Sequence, residues 1–349
     1  MPVATPLVWT DAHHLHDPAT GVWVGVPIRS DELPQRAEAI RSALVDAGAP
    51  VVQAAPHDDE PLLAVHDAGL VSFLRAAHAD WSESTYAEDP GQGDVVAYIF
   101  PTPGFVGSVE PRVPVSLAAR TGAYSYDTLT AVTMGTWTAA RGAVDVALTA
   151  ADLVLAGART AYACCRPPGH HVTSTAFGGS CYLNNAACAA HHLRTSFARI
   201  AVLDVDAHHG NGAQSIFWTR DDVLTASVHV DPGAGWFPHY VGFEDESGPS
   251  NLNVPLPPGA GDDVWLEGVD RLVDAARAHG SEALVVPLGV DAGSGDPNAP
   301  LLVTEDGFRE TGRRLGALGL PTVLVQEGGY VLETVGPLVR AALEGFEEA

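Results

Sequence analysis

The residues with the clearest chemical potential follow an apolar segment at 200–203. Asp204, Asp206 and His208 come next and alternate with apolar residues, a spacing that places their side chains on one side of an extended strand. Burying two carboxylates and an imidazole together is costly unless a cation or a hydrogen-bonded network compensates. The pattern predicts half of a metal site at the end of a buried strand, and an internal salt-bridge cluster is the alternative.

A third candidate ligand, Asp291, follows another apolar run and opens a glycine-rich turn. Two carboxylates and one imidazole leave a fourth position free, as in catalytic zinc sites. The same donors also accept Fe²⁺, Co²⁺ or Mn²⁺, because availability often decides which ion is bound. An aspartate in such a turn is also a common helix cap, so Asp291 is a ligand only in combination with the first group.

Two further polar groups follow predicted strands: Arg166-Pro-Pro-Gly-His170-His171 and Glu327-Gly-Gly-Tyr330. An imidazole titrates near neutrality and can transfer protons, and a tyrosine hydroxyl can donate to a reacting carbonyl oxygen. A surface histidine pair or a packed loop tyrosine would explain each motif taken alone. Combined with the metal ligands, they predict metal-assisted hydrolysis of an amide.

Apolar runs of strand length alternate with helical patterns along the whole chain, which predicts an α/β fold: a single-domain, open, mostly parallel sheet with helices on both faces. The polar motifs then lie at the carboxyl ends of strands, where such sheets bind ligands. Strands are predicted near 51–52 and at 161–165, 199–205, 223–230, 283–288 and 322–326, and helices at 32–47, 70–79, 129–150, 183–197, 263–279 and 304–318.

One domain is expected over residues 1–349, with a Pro- and Gly-rich segment at 81–128 that is long enough to predict a rim or lid. The N-terminal residues lack the pattern of a signal peptide, and no apolar run has the roughly 18 residues of a membrane span. Four cysteines clustered between 164 and 188 predict reduced thiols in a cytoplasmic protein.

Acidic residues strongly outnumber basic ones, 43 to 18, giving a net charge of −25. This argues against nucleic acid as a direct partner, because phosphate contacts need clustered lysine and arginine. The charge would attract cationic substrates, although an acidic surface that only maintains solubility is the simpler explanation.

These motifs, together with Gly178-Gly-Ser-Cys-Tyr-Leu-Asn-Asn185, resemble the zinc-dependent deacetylases of the arginase/deacetylase fold. That family includes histone deacetylases and acetylpolyamine amidohydrolases, and the resemblance extends from about Trp9 to the C-terminal helix. It implies that zinc, or Fe²⁺ or Co²⁺ in its place, is bound by Asp206, His208 and Asp291.

The resemblance also implies roles for the remaining polar residues. His171 would be the general base and then protonate the leaving amine, and Asn211 would orient it. His170, paired with Asp204, would tune the electrostatics, while Tyr330 would hydrogen-bond the acetyl carbonyl.

A structural potassium ion is implied as well. It would bind the side chains of Asp204 and Ser227 and the carbonyls of Asp206, His208 and Val228. A second potassium ion would bind carbonyls near Phe217, Arg220 and Val223.

Within the family, Val65–Gly69, Gly135–Trp137 and the segment 231–243 are most similar to acetylpolyamine amidohydrolases. In those enzymes the long loop, here carrying Glu110, shapes a narrow acidic entrance lined by a homodimer. The implied substrate is a small acetylated amine whose distal ammonium Glu110 could hold, although an ordinary solvated charge is the simpler explanation of Glu110.

Two departures bear on the substrate. The loop position expected to carry a second acidic residue reads Leu117-Ala-Ala-Arg-Thr, and Ser180 follows Gly179 where the family usually presents an aromatic wall. Phe237 would be the remaining wall, so we expect a wider channel. A bulkier N-acyl substrate, including protein acetyl-lysine, is therefore the alternative.

Two other functions remain to be distinguished. A ureohydrolase with two manganese ions would need more carboxylates near the first group than His209-Gly-Asn211 supplies. A non-catalytic sensor of acetylated ligands would bind without turnover. His13, His14 and His16 are expected to be ordinary surface or rim histidines, with no second metal.

Overall fold

The computed structural model describes residues 2–18, 21–88 and 91–349. Within those residues, an eight-stranded, entirely parallel sheet forms the centre, in the order β4-β1-β5-β10-β9-β6-β7-β8, and β2 and β3 form a separate antiparallel hairpin. The strands are β1 Leu7–Trp9, β2 Gly21–Trp23, β3 Val26–Ile28, β4 Val51–Gln53, β5 Thr160–Ala163, β6 Ile200–Asp204, β7 Val223–Val230, β8 Asn251–Leu256, β9 Ala283–Leu288 and β10 Thr322–Gln326.

Helices cover both faces of this sheet, and neighbouring strand residues contribute to opposite cores. In β6, for example, Ile200 and Val202 pack into one apolar cluster while Ala201 and Leu203 pack into the other, as the two-residue period of a strand requires. The helices are α1 Pro34–Asp46, α2 Glu60–Leu63, α3 Ala68–Ser82, α4 Pro103–Val106, α5 Leu117–Tyr124, α6 Thr136–Leu155, α7 Asn185–Leu193, α8 Asn211–Phe217, α9 Asp262–His279, α10 Glu305–Gly316 and α11 Leu332–Glu348.

Local chemistry sets the ends of these helices. The Thr304 hydroxyl accepts a hydrogen bond from the backbone N–H of Gly307, which caps α10. At the C-terminal end of α9, Gly280 adopts a left-handed conformation with φ of 71° that stops the helix.

The sequence predicted the buried strands best: β7, β9 and β10 have the expected bounds. The helix predicted at 129–150 begins only at Thr136, because Val132 pairs with Val95 and holds the preceding residues extended. The placement of Asp206 and His208 on a strand was wrong, since β6 ends at Asp204 and a turn follows. The prediction did not include β1, β8 or α8.

The prediction that the N-terminal histidines lie on the surface was wrong for two of the three. A 3₁₀ helix at Asp11–Leu15 carries His13 and His14, and both His13 and His16 are 1% exposed. Burial lowers the pKa of each buried imidazole to about 3. His16 Nδ1 lies 3.0 Å from Thr136 Oγ1, so its burial is compensated by a hydrogen bond.

The segment predicted as a rim contains the end of α3, a 3₁₀ turn at Thr85–Ala87, α4 and α5; residues 89 and 90 lie outside the described residues. Apolar side chains of this segment are exposed, among them Phe105, Val109 and Val115. None of the described helices is both long and apolar enough to cross a membrane. The four cysteines are free and buried, and the cytoplasmic location stays a prediction.

Candidate metal centre and active site

The histidine pair lies directly after β5 and is fixed through its backbone. The N–H groups of Gly169 and His170 donate to Glu327 Oε2 at 2.6 and 3.1 Å, which ties this loop to the end of β10. His170 Nδ1 lies 2.9 Å from Asp204 Oδ2. His171 Nδ1 lies 2.7 Å from Asn211 Oδ1, at the start of α8. The two predicted partners of the histidines are therefore in place.

The two adjacent imidazoles differ in protonation although their ring centroids are only 3.9 Å apart. Burial alone would lower the pKa of His170, but the carboxylates of Asp206 and Asp204 outweigh it and raise the pKa to about 10. Burial and the positive charge of His170 lower the pKa of His171 well below 6.5. At neutral pH the pair thus combines a cation with a neutral imidazole that can accept a proton.

The three expected metal ligands come together at the carboxyl ends of β6 and β9. The candidate ligand atoms of Asp206, His208 and Asp291 all lie within 4.8 Å of one another, and all three residues are buried. Burial alone would lower the pKa of His208, but hydrogen bonds with both carboxylates raise it well above 6.5. The carboxylates thus require a positive charge at this point, which a bound cation would supply in place of the proton.

Residues around this cluster leave space beside the two carboxylates and fix the orientation of the His208 ring. A Cβ at Gly328 would lie 2.4 Å from Asp291 Oδ2 and 2.6 Å from Asp206 Oδ2, so only glycine fits beside both carboxylates. His208 Nε2 lies 2.9 Å from the Asn298 carbonyl, which leaves Nδ1 facing the carboxylates. These contacts suit a divalent cation held by two oxygens and one nitrogen, with room for a further ligand.

A cavity of about 400 Å³ opens onto this cluster. His171, His208 and Tyr330 line it, and the Phe237 ring packs edge-on against His171 at 4.7 Å between centroids. Its other lining residues include Gly179, Ser180, Trp236 and His239, and Trp23, Ile28, Arg29 and Asp31 from the β2–β3 hairpin and the segment after it.

Several residues of the expected potassium sites are neighbours. Asp204 in β6 lies opposite Ser227 in the register of the neighbouring strand β7. The Arg220 N–H donates to the Phe217 carbonyl at 2.8 Å in the turn before Val223. Val228 is buried within β7. Potassium binding at either place stays a prediction.

Comparison with known proteins decides the family. A model of the histone deacetylase domain matches residues 30–346. The chain belongs to the histone deacetylase family. This deacetylase is 39% identical to acetylpolyamine amidohydrolase 1 of Pseudomonas aeruginosa, over 98% of the chain and 99% of that protein. It is 38% identical to the acetylpolyamine amidohydrolase of Mycoplana ramosa, over 97% of the chain and 98% of that protein.

The crystal structure of an acetylpolyamine aminohydrolase from Burkholderia pseudomallei has the same fold, with a TM-score of 0.92 at 38% identity over 98% of both chains. The predicted open parallel sheet with helices on both faces is therefore confirmed. The relatives and the domain make the protein a hydrolytic deacetylase, as predicted.

Sequence reasoning missed part of the deacetylase's site. The sequence motif gives Glu327 no role of its own, yet its carboxyl is buried under the histidine pair, and burial raises its pKa to about 8. Arg36 donates to the carbonyls of Glu327 and Gly329 at 2.6 and 2.5 Å and stacks on Tyr330, 4.6 Å from the ring centroid. No local pattern signals a contact between α1 and the end of β10.

The channel residues divide into two groups. Gly179, Ser180 and Phe237 line the cavity as expected, and Ser180 has a left-handed φ of 61°. Glu110 is exposed, and the described lining residues of the cavity include none from 81–128. Asp31, which was not predicted, is an acidic residue at the cavity instead.

Proposed function

We propose that the protein is a zinc-dependent amidohydrolase that removes acetyl groups from small cationic amines such as acetylpolyamines. The observation that carries this proposal is one cavity lined by the imidazole of His171, the metal-cluster residue His208 and Tyr330. The names of the relatives support the substrate class. Fe²⁺ or Co²⁺ could replace zinc in the same donor set.

Asp206, His208 and Asp291 would hold the cation. When bound, it acts as a Lewis acid that polarises the amide carbonyl and lowers the pKa of water towards about 7. His171, held by Asn211, accepts the proton of the attacking water and returns it to the departing amine. Burial, together with the positive charge of His170 that Asp204 balances, keeps the pKa of His171 low, so this base stays unprotonated between turnovers.

The Tyr330 hydroxyl donates a hydrogen bond to the acetyl oxygen, where negative charge develops in the transition state. Two contacts hold Tyr330 in position. Arg36 stacks on the face of its ring, and the backbone N–H of Tyr330 donates a hydrogen bond to Asp296 Oδ2 at 2.7 Å. A donor fixed before the substrate arrives needs no reorganisation during the reaction, which is the condition for effective electrostatic stabilisation.

The cavity supports a substrate with a distal positive charge. Asp31 supplies a carboxylate, and Trp23 and Trp236 supply aromatic faces that attract cations. Arg29 also lines the cavity, but it lies 3.7 Å from Asp17, which offsets its charge. Because Ser180 removes one ring from the wall, bulkier N-acyl amines and protein acetyl-lysine are the second candidate substrates.

A homodimer is part of the proposal. Phe105, Val109 and Val115 expose apolar side chains within one segment, with Val115 96% exposed, and a second copy packed there would remove them from water. Glu110 lies in the same segment, so dimerisation there would bring its carboxylate towards a cavity entrance. Val115→Asp should give monomers in light scattering, whereas Leu302→Asp, at an exposed apolar site outside the segment, should leave the dimer intact.

Potassium at Asp204 and Ser227 is proposed as a structural ion. Asp204 already has the charged His170 on one side, and a monovalent cation on the other side would compensate the remaining charge of the Asp204–Asp206 pair. Unfolding transitions measured in potassium and in tetramethylammonium salts of equal ionic strength should differ if the ion binds.

The first experiment measures acetate released from acetylpolyamines, acetyl-lysine peptides and neutral acetamides by metal-free and zinc-reconstituted protein. Zinc-dependent turnover with preference for acetylpolyamines is the expected result. Asp31→Asn should then raise KM for acetylpolyamines by up to ~5-fold, as for the loss of one exposed charge pair, without affecting neutral acetamides.

Other outcomes separate the rivals. Preference for peptides would assign the enzyme to bulkier substrates. Tight binding without acetate release would favour a sensor, and two manganese ions per active site would favour a ureohydrolase.

A further inference from the structure

A second group of metal-ligating side chains lies away from the catalytic cavity. His13 and His14, on the 3₁₀ helix, face Glu38 on α1, and candidate ligand atoms of the three residues all lie within 4.8 Å of one another. None of the three lines the catalytic cavity. The cluster therefore plays no part in the deacetylation mechanism above.

The distances match those between ligands of a small tetrahedral ion. Glu38 Oε1 lies 3.5 Å from His13 Nε2 and 2.9 Å from His14 Nε2. Bonds of 2.0–2.1 Å at tetrahedral angles place neighbouring ligand atoms about 3.3 Å apart. An ion could enter with side-chain movements of a few tenths of an ångström, because the two imidazoles are already adjacent, with centroids 3.9 Å apart.

His13 gives the second, independent observation. Its side chain is only 2% exposed, yet neither ring nitrogen has a hydrogen-bond partner among the described residues. A buried imidazole without a partner is unfavourable, and His16, equally buried nearby, has Thr136 as its partner. A metal ion at His13 Nε2 would satisfy the nitrogen that faces Glu38.

Access and donor type define the ligand. The side chains of His14 and Glu38 are 49% and 42% exposed, so an ion can reach the cluster from solvent and keep a water as its fourth ligand. Two imidazoles and one carboxylate suit Zn²⁺, Co²⁺, Ni²⁺ and Cu²⁺, whereas Mg²⁺ and Ca²⁺ prefer oxygen. We propose that His13, His14 and Glu38 form a second, non-catalytic binding site for such a divalent ion.

The test counts ions in the untagged, zinc-loaded enzyme. Titration calorimetry with Zn²⁺, followed by dialysis and elemental analysis, should show a second equivalent per chain. His14→Ala and Glu38→Gln each remove a ligand that is about half exposed, and so leave the core undisturbed. Each should weaken the second equivalent at least ~10-fold and leave the catalytic equivalent and kcat unchanged.

His191→Ala is the matched control, because His191 is partly exposed and lies 3.9 Å from the Glu60 carboxylate without a second imidazole ligand. It should bind two equivalents, as the wild type does. The proposal would be overturned if no second equivalent binds with a Kd below about 1 mM. It would also be overturned if both variants bind the second equivalent as tightly as the wild type does. In that case His14 and Glu38 form an ion pair only. Since catalytic zinc is counted separately, neither result bears on the deacetylase activity.

Discussion

Replacing Tyr330 with phenylalanine tests the proposed mechanism with the least disturbance to the fold. The hydroxyl has no hydrogen-bond partner among the described residues, while the ring keeps its stacking on Arg36 and the backbone keeps its bond to Asp296. Tyr330→Phe should therefore change the free energy of unfolding by no more than about 0.5 kcal/mol. Its zinc content should stay that of the wild type.

The effect on catalysis should be much larger. Removing one preformed donor to a developing oxyanion costs about 2.7–4 kcal/mol, or ~10²–10³ in kcat. Acetate release under saturating acetylpolyamine measures this directly, with urea unfolding and zinc analysis on the same preparations. Tyr240→Phe is the control, because Tyr240 is exposed and does not line the cavity. A kcat within about threefold of wild type would refute the role of Tyr330.

Three further predictions concern the site and the core. Gly328→Ala places a Cβ 2.4 Å from Asp291 Oδ2, so it should lose zinc and activity together, whereas Gly248→Ala, with open space around its Cβ, should keep both. Ser180→Tyr adds a ring to the channel wall and should lower KM for slender acetylpolyamines ~5-fold, from about 1 kcal/mol of apolar contact. Bulky acetamides should be turned over more slowly. An unchanged ratio of kcat/KM between the two substrate classes would argue against a wall at this position. Burial lowers the pKa of His66 from 6.5 to about 4, so protonation favours the unfolded chain and stability falls as pH drops below 6.5. Between pH 7.5 and 5 this residue should account for about 2 kcal/mol of the loss, measured as a flatter urea-stability profile in His66→Gln.

The sequence was sufficient to predict the strands that are buried on both faces of the sheet. β9 reads as a continuous apolar run, and β7 and β10 as mainly apolar ones with a few polar residues. The polar residues after these strands mark the functional edge of the sheet. β1 has only three residues and precedes a polar stretch, so no periodic pattern distinguishes it from a loop.

Contacts between distant segments could not be predicted. The expected pairs His170–Asp204 and His171–Asn211 came from the family resemblance, and the geometry agrees with them. The approach of the β2–β3 hairpin to the cavity depends on tertiary packing that no local pattern encodes. The burial of His13 has the same origin, since it results from packing against α1 and Trp9.

The order of the sheet has a consequence for biosynthesis. β10 is the last strand of the sheet to leave the ribosome, yet it lies in the middle, between β5 and β9. Until residue 326 has emerged, the growing chain can hold only two separate sheet halves, and the loop that carries Glu327 and Tyr330 does not yet exist. A nascent chain therefore gains the complete active site in one late step, and pulse-labelled chains halted before β10 should be sensitive to protease while longer ones are resistant.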